Sequence, residues 1–182
     1  ISMNGRGNAR AFRPLVEAID GARRSIDVVS AYLSHPFIGH LARAVGRGVR
    51  VRVLMPDRNN KSNLARHIVE QASREGFEVL RYPGGMSHMK AMTVDEELLV
   101  MGSSNFDFMS YHVLEEHVVM TREPSVVEAF FARVWEPDTA GACAAPPRST
   151  IGTRLGDLAV RAGAFLAAGL ALPREGDTAR AG

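Results

Sequence analysis

The sequence predicts an α/β domain built on a mixed, largely parallel sheet that is flanked by helices. Short apolar runs typical of strands alternate with segments whose apolar residues recur at helical spacing, and Gly or Pro separates many of them. Such alternation favours a sheet in which helices carry the chain back between parallel strands. The predicted strands are 25–33, 49–55, 77–82, 88–94, 98–101 and 116–121, and the predicted helices are 12–22, 37–45, 63–75 and 124–135.

The composition is that of an ordinary globular protein. The chain has 182 residues, of which 46% are hydrophobic and 23% charged, which is enough for one domain with a sizeable core. The net charge is only +2, and Lys61 and Lys90 are the only lysines. Because dedicated nucleic-acid binders usually carry a denser basic stripe, nucleic acid is not expected as a partner. Cys143 is alone, which argues against a disulfide framework or a cysteine metal cluster.

The chain is predicted to divide into a catalytic domain at 1–138, a linker at 139–150 and an apolar C-terminal tail at 151–182. The linker is rich in Ala, Pro, Gly and Ser. Within the tail, the apolar run at 158–172 is shorter than the roughly 20 residues that span a bilayer. Two interpretations stay open, a helix in a membrane interface or on a partner, and a weakly ordered or self-docked tail. Because Ile1 is not an initiator Met, the chain is expected to be processed or cut from something longer.

The segment 88–105 holds the residues best suited to chemistry. A strand at 88–94 would put His88 and Lys90 on one face, because alternate side chains of a strand share a face. That pair suits a phosphodiester, since an ammonium neutralises phosphate oxygens while a neutral imidazole attacks phosphorus. Asp95 has the opposite parity and is expected to hold the next turn through side-chain to backbone hydrogen bonds.

The loop after the second strand reads Gly102-Ser103-Ser104-Asn105. Its small residues let backbone and side-chain donors approach an anion closely, so Ser103 and Asn105 are predicted to face the same phosphate.

These residues follow two spaced motifs. The first reads H-x-K-x(4)-D at His88, Lys90 and Asp95, and the second reads G-S-x-N at Gly102 to Asn105. Together they resemble the signature of the phospholipase D superfamily. The resemblance covers about residues 10–135 and implies that family's fold and phosphodiester cleavage through a phosphohistidine intermediate.

The resemblance also implies a set of site residues. The catalytic set is His88, Lys90, Asp95 and Glu116, and the phosphate-binding set is Lys90, Ser103 and Asn105. In the family an acidic residue on the next strand bonds the nucleophilic histidine. Counting without a gap gives Glu116, but the register between Glu115 and Glu116 stays open because Leu114 departs from the family pattern. No cofactor is implied, and a metal site is not expected, because a protonated lysine cannot ligate a metal.

A single H-x-K motif is half of the family's site, so the second is expected from an upstream domain or from a homodimer partner. The apolar segment 106–111 after the donor loop suggests a site rim suited to lipid. The chain is therefore similar to the C-terminal catalytic half of cardiolipin synthase-like members, which transfer a phosphatidyl group. A phospholipid substrate, a membrane surface and a location at its cytoplasmic face are expected. The alternatives are a homodimeric endonuclease of the same family and a non-catalytic half-domain.

Overall fold

The fold is built on a mixed β-sheet of eight strands in the described part of the chain. The structure is a computed structural model that describes residues 1–5, 7–58 and 62–145. The strands in this part of the chain are β1 (Ser2–Asn4), β2 (Ser25–Ser30), β3 (Arg50–Pro56), β4 (Glu78–Tyr82), β5 (Lys90–Val94), β6 (Leu98–Gly102), β7 (Glu115–Thr121) and β8 (Cys143–Ala144). The helices are α1 (Asn8–Ala11), α2 (Arg13–Gly21), α3 (Phe37–Gly46), α4 (Ser62–Arg74), α5 (Phe108–His112), α6 (Pro124–Phe130) and α7 (Glu136–Ala140), with a π-helical turn at Phe131–Trp135.

The strand order is β1-β7-β6-β5-β2-β3-β4-β8. The predicted α/β class with a mixed sheet is confirmed, but parallel pairing is confined to β2, β3 and β4. There α3 and α4 carry the chain back between strands, as parallel pairing requires. The neighbouring pairs β2–β5, β5–β6 and β6–β7 are antiparallel. Only three residues separate β5 from β6, and so short a turn can join only antiparallel strands.

Apolar side chains cover both faces of the sheet. The core on one face contains Phe12, which directly precedes α2, and buried residues of α2, α3 and α4, including Leu15, Ile19, Phe37, Leu41 and Ile68. The core on the other face joins strand residues to Val127, Phe130 and Trp135 of α6 and the π-helical turn. Full burial of one such large side chain contributes about 1.5–3 kcal/mol, so these two layers hold the helices on the sheet.

Two predicted boundaries are corrected. β5 begins at Lys90, so His88 lies in the loop at 83–89 and the strand-parity argument does not reach it. The predicted linker at 139–150 begins too early, because α7 extends to Ala140 and β8 pairs with β4. Ala145 is also buried, and its N–H donates to the Val79 carbonyl at 2.8 Å. The rest of that linker and the tail at 151–182 lie outside the described residues.

Asp95 joins the β5–β6 turn to the start of β2. Its carboxylate accepts backbone N–H bonds from Arg23 at 3.0 Å, Arg24 at 2.7 Å and Ser25 at 3.1 Å. Partial burial alone would raise the pKa of Asp95, but these three donors and the charge of Arg24 lower it below its ordinary value. The expected side-chain to backbone role is therefore observed, although the donors lie at and just before the start of β2 and not in Asp95's own turn.

Replacing Asp95 by Asn should lower the free energy of unfolding by about 1 kcal/mol at pH 7, because the amide keeps one acceptor but loses the charge. The folded-state pKa of Asp95 is depressed, so its stabilisation is present above the unfolded pKa of about 4 and is lost as pH falls through the folded value. Urea unfolding should therefore show a gap between wild type and Asp95→Asn at pH 7 that narrows at pH 3. Glu96→Gln is the control, since Glu96 approaches Arg50 only at 3.9 Å on the surface. A gap of equal size at both pH values would contradict this role.

Candidate active site

Lys90 is a buried cation at the start of β5. It is 4% exposed, and its Nζ donates to the His88 carbonyl oxygen at 2.6 Å. Burial lowers the pKa of Lys90 below its ordinary value, while the negative charges of Glu116 and Asp107 act in the opposite direction. The lysine thus fixes the end of the loop that carries His88 and places positive charge beneath it.

His88 itself is exposed. Its ring makes no hydrogen bond with any residue in the part of the chain that the structure describes. The structure therefore does not bring the His88 ring into contact with Glu116, and the proposed bond between them stays a prediction.

Glu116 lies on β7 and faces the interior. It is 7% exposed, whereas Glu115 is exposed on the opposite face. The Oε1 atom of Glu116 accepts from the Ser110 hydroxyl at 3.0 Å, and Oε2 accepts from the Ser103 hydroxyl. Ser103 Oγ in turn accepts the N–H of His117 at 3.0 Å. The geometry thus places Glu116, and not Glu115, beside the predicted phosphate donor Ser103.

Gly102 permits the close approach of β6 to β7 at this point. A Cβ atom on Gly102 would lie 2.0 Å from the His117 carbonyl oxygen and 2.9 Å from the Cα of Val118, so no larger residue fits. The next residues begin the donor loop. Within it Asn105 is half-buried, and its buried Oδ1 has no hydrogen-bond partner among the described residues. That Asn105 faces a phosphate stays a prediction.

Asp95 stands apart from these residues. It follows the last residue of β5, at the opposite end from Lys90, and five residues of extended strand span about 16 Å. The structure therefore brings together Lys90, Ser103 and Glu116 but does not bring Asp95 to them. Its place in the predicted catalytic set is corrected to a structural one.

The prediction of an apolar rim at 106–111 is wrong. Phe106 and Phe108 are buried, and Tyr111 stacks on Phe12 with ring centroids 5.4 Å apart. Phe106 also packs edge-on against Phe37 at 5.6 Å. These aromatic side chains are core residues because the segment forms a short helix, α5, whose apolar side packs on the domain.

Sequence reasoning missed two polar residues of the same helix. Asp107 caps α5, and its Oδ1 accepts the Ser110 N–H at 2.9 Å. Burial raises the pKa of Asp107 above its ordinary value, the bonds from Ser110 lower it, and the negative charge of Glu116 raises it further. The available signal was Asp107 itself, because Asp is a preferred residue at the N-cap of a helix.

The arrangement can hold an anion. The buried Lys90 ammonium interacts with the buried Glu116 carboxylate, which accepts the hydroxyl hydrogen of Ser103, and Lys90 also bonds the carbonyl of the exposed His88. Within the described ranges, no group of three or more His, Cys, Asp or Glu side chains that could hold a metal ion is present. None of the helices in those ranges is long and apolar enough to cross a membrane.

Residues 15–135 match the model of a family described as cardiolipin synthase, PLD-like domain. The chain belongs to this family. All of the motif residues from His88 to Asn105, and Glu116, lie within the matched range.

Curated relatives carry matching names. Cardiolipin synthase A of Pseudomonas putida (strain GB-1) is 32% identical over 118 residues, which are 62% of this chain and 25% of that protein. Probable cardiolipin synthase YwiE of Bacillus subtilis (strain 168) is 30% identical over 123 residues, which are 63% and 25%. The chain thus spans about a quarter of the length of the curated relatives it matches.

Solved structures agree with the fold. Nuc of Salmonella typhimurium, a phospholipase D family member, has a TM-score of 0.66 and 25% identity, over 75% of this chain and 91% of that chain. Phosphatidylserine synthase of Haemophilus influenzae Rd KW20 has a TM-score of 0.63 at 11% identity, over 90% and 45%, which shows the fold alone.

Glu116→Gln should lower kcat for phosphodiester cleavage by about 10²-fold or more, because a carboxylate that supports a catalytic imidazole has a large effect on rate. Glu115→Gln is the matched control and should stay within about two-fold of wild type, since its side chain is exposed on the opposite face of β7. Steady-state kinetics of the two variants, with thermal unfolding to check folding, make the comparison. Equal losses in both would show that the choice of Glu116 is wrong.

Proposed function

We propose that this chain is one catalytic half of a phospholipase D-type phosphatidyltransferase or phosphodiesterase that acts on phospholipids, most like cardiolipin synthase. The observation that carries the proposal is the convergence of Lys90, Ser103 and Glu116 at one end of β5, β6 and β7, directly below the loop of His88. The names of the curated relatives support the substrate class.

In the proposed reaction His88 attacks phosphorus, a P–N bond forms and the P–O bond to the leaving alcohol breaks. Lys90, Ser103 and Asn105 stabilise the charge on the non-bridging oxygens. Glu116 accepts the second ring N–H of His88 and supports its positive charge. A histidine of the second motif protonates the leaving alkoxide. An incoming alcohol or water then attacks phosphorus, breaks the P–N bond and gives its proton to that histidine.

Lipid is the proposed substrate for two reasons, neither of which depends on the incorrect prediction of an apolar rim at 106–111. The family model and the relatives bear the name cardiolipin synthase, and the charge of the chain is too low for a typical nucleic-acid surface. A phosphatidyl group resides in a bilayer, so we place the protein at the cytoplasmic membrane face, as a peripheral protein.

The second H-x-K motif is proposed to come from another domain or from a second copy. The relatives are about four times as long as the matched segment, which supports a further domain in the same protein. A different observation favours the homodimer: this chain covers 91% of Nuc, so a family member can be little longer than one such domain. The same observation supports the alternative function, a homodimeric endonuclease.

Incubation of this chain, assembled with its source of the second H-x-K motif, with labelled phosphatidylglycerol and, separately, with plasmid DNA tests the substrate. We expect phosphatidyl transfer or hydrolysis, intact plasmid, unchanged turnover in the presence of a chelator, and an acid-labile phosphoryl adduct on the peptide that contains His88. His88→Ala should abolish turnover and adduct, because no other group supplies the attacking atom. His67→Ala, a histidine of α4, is the control.

The results of these incubations distinguish the lipid enzyme from the endonuclease and test the mechanism. Plasmid nicking without lipid turnover would establish the endonuclease, and an adduct on a peptide without His88 would overturn the mechanism. Loss of turnover on chelation, restored by added metal, would contradict a metal-free reaction.

Solution mass measured together with activity tests the source of the second motif. If another domain supplies it, the chain alone should be an inactive monomer whose turnover is restored by a fragment carrying an H-x-K motif. A stable, active dimer of this chain alone would instead establish the homodimer, in which a two-fold axis places two copies of the site together.

A further inference from the structure

Ser110 is a small polar residue that is completely buried beside Glu116. It is the third residue of α5 and is 0% exposed. Its hydroxyl donates to Glu116 Oε1 at 3.0 Å, its N–H donates to Asp107 Oδ1 at 2.9 Å, and its carbonyl accepts from Asn8 Nδ2 at 3.0 Å. All three polar groups of this residue are therefore engaged, and the hydroxyl is held in one place.

Asn8 fixes the helix from the other side. The same Nδ2 that bonds the Ser110 carbonyl also donates to the Leu114 carbonyl at 2.7 Å, and Asn8 is itself buried. One side chain of α1 thus holds both α5 and the second residue after it. The Ser110 hydroxyl is presented to Glu116 from a rigid support, as a precise site requires.

The two oxygens of Glu116 are held by unlike partners. Ser103 is exposed and Ser110 is buried, and each donates one hydroxyl hydrogen to a different oxygen. A serine hydroxyl has a single hydrogen, so Ser103 cannot donate to a phosphate and to Glu116 at the same time. Under the proposed function, a phosphate that takes the Ser103 hydroxyl would leave Oε2 free to accept a bond from His88, while the Ser110 bond to Oε1 would remain.

Two neighbouring carboxylates, Glu116 and Asp107, make the bond from the Ser110 hydroxyl to Glu116 more important. Glu116 and Asp107 are two carboxylates close enough to interact, and Lys90 is the cation that interacts with both. The Ser110 N–H donates to Asp107 and the Ser110 hydroxyl donates to Glu116, and the hydroxyl also lies close enough to Asp107 to lower the pKa of that carboxyl, so one residue links the two carboxylates. Without the hydroxyl, Glu116 would lose the contact that opposes its movement.

We propose that Ser110 is the positioning residue of Glu116, which keeps the carboxylate aimed at His88 after phosphate has taken the hydroxyl of Ser103. This inference rests on the proposed function, since it assigns Glu116 to His88. Ser110 touches neither the substrate nor the reacting atoms, and it acts only through Glu116.

The test is a double-mutant cycle on the assembly of this chain that turns over a phosphodiester, with bis(p-nitrophenyl) phosphate as the substrate. Ser110→Ala should lower kcat about ten-fold with KM unchanged within about two-fold, because orientation of the nucleophile matters in the chemical step and not in binding. In a Glu116→Gln background the same change should cost less than about two-fold, since the residue acts through the carboxylate. Ser25→Ala, a buried serine at the far end of β2, controls for loss of a buried hydroxyl.

Each result decides something. Equal losses of kcat from Ser110→Ala in both backgrounds, or a loss confined to KM, would overturn the positioning role while leaving the proposed function intact. If Glu116→Gln itself has no effect, or wild type shows no turnover in any assembly, the proposed function fails and the inference fails with it. Should Ser110→Ala not fold, Ser110→Cys keeps the volume with a much weaker donor and should show the same loss of kcat.

Discussion

The burial of the Lys90 ammonium is the constraint on which the site depends. A charge removed from water is costly unless it is paired or hydrogen-bonded, so the groups around it must compensate. The His88 carbonyl accepts its bond, and Glu116 and Asp107 provide opposite charge. In such surroundings charge interactions are stronger than in water, so under the proposed function one lysine would suffice for a phosphate in a chain of low net charge.

The close pairing of β5, β6 and β7 brings these groups together. Gly102 lets β6 approach the His117 carbonyl so closely that a side chain would not fit, and the next residue, Ser103, then reaches Glu116. The opposite face of the sheet has a different kind of ion pair. There Asp27 bonds Arg52 through two nitrogens at 2.6 and 3.0 Å, and the guanidinium lies 4.8 Å from the Trp135 ring centroid. That pair joins the sheet to the π-helical turn on the face opposite the candidate site.

Sequence reasoning reached the parts of the fold that depend on local pattern. Apolar periodicity predicted β2 to β7 and the longer helices within a few residues. It missed β8 because Cys143 and Ala144 carry no strand pattern and pair only through their backbone with β4. It also overestimated parallel pairing, because strand direction depends on connection length and not on the pattern of the strand itself.

The site was less predictable where it depends on packing. Spacing alone left Glu115 and Glu116 open, and only the register of β7 shows which carboxylate is buried. The aromatic residues of 106–111 were predicted to form the rim of the site, because the neighbouring sequence does not show that Phe37 and Phe12 pack against them. Ser110 escaped notice for the same reason, since its partner is reached only when α5 packs beside β7.

The exposure of His88 follows from the same geometry. Its carbonyl is held by Lys90, but its ring faces solvent, and the loop around it also exposes Met86 and Met89. Water at an exposed imidazole weakens its interactions with nearby charges and competes with an alcohol for a phosphohistidine. A surface that covers this loop would exclude that water and at the same time bring a second proton donor to the leaving group. Under the proposed function, the exposed ring is therefore the feature that the missing half of the site must complete.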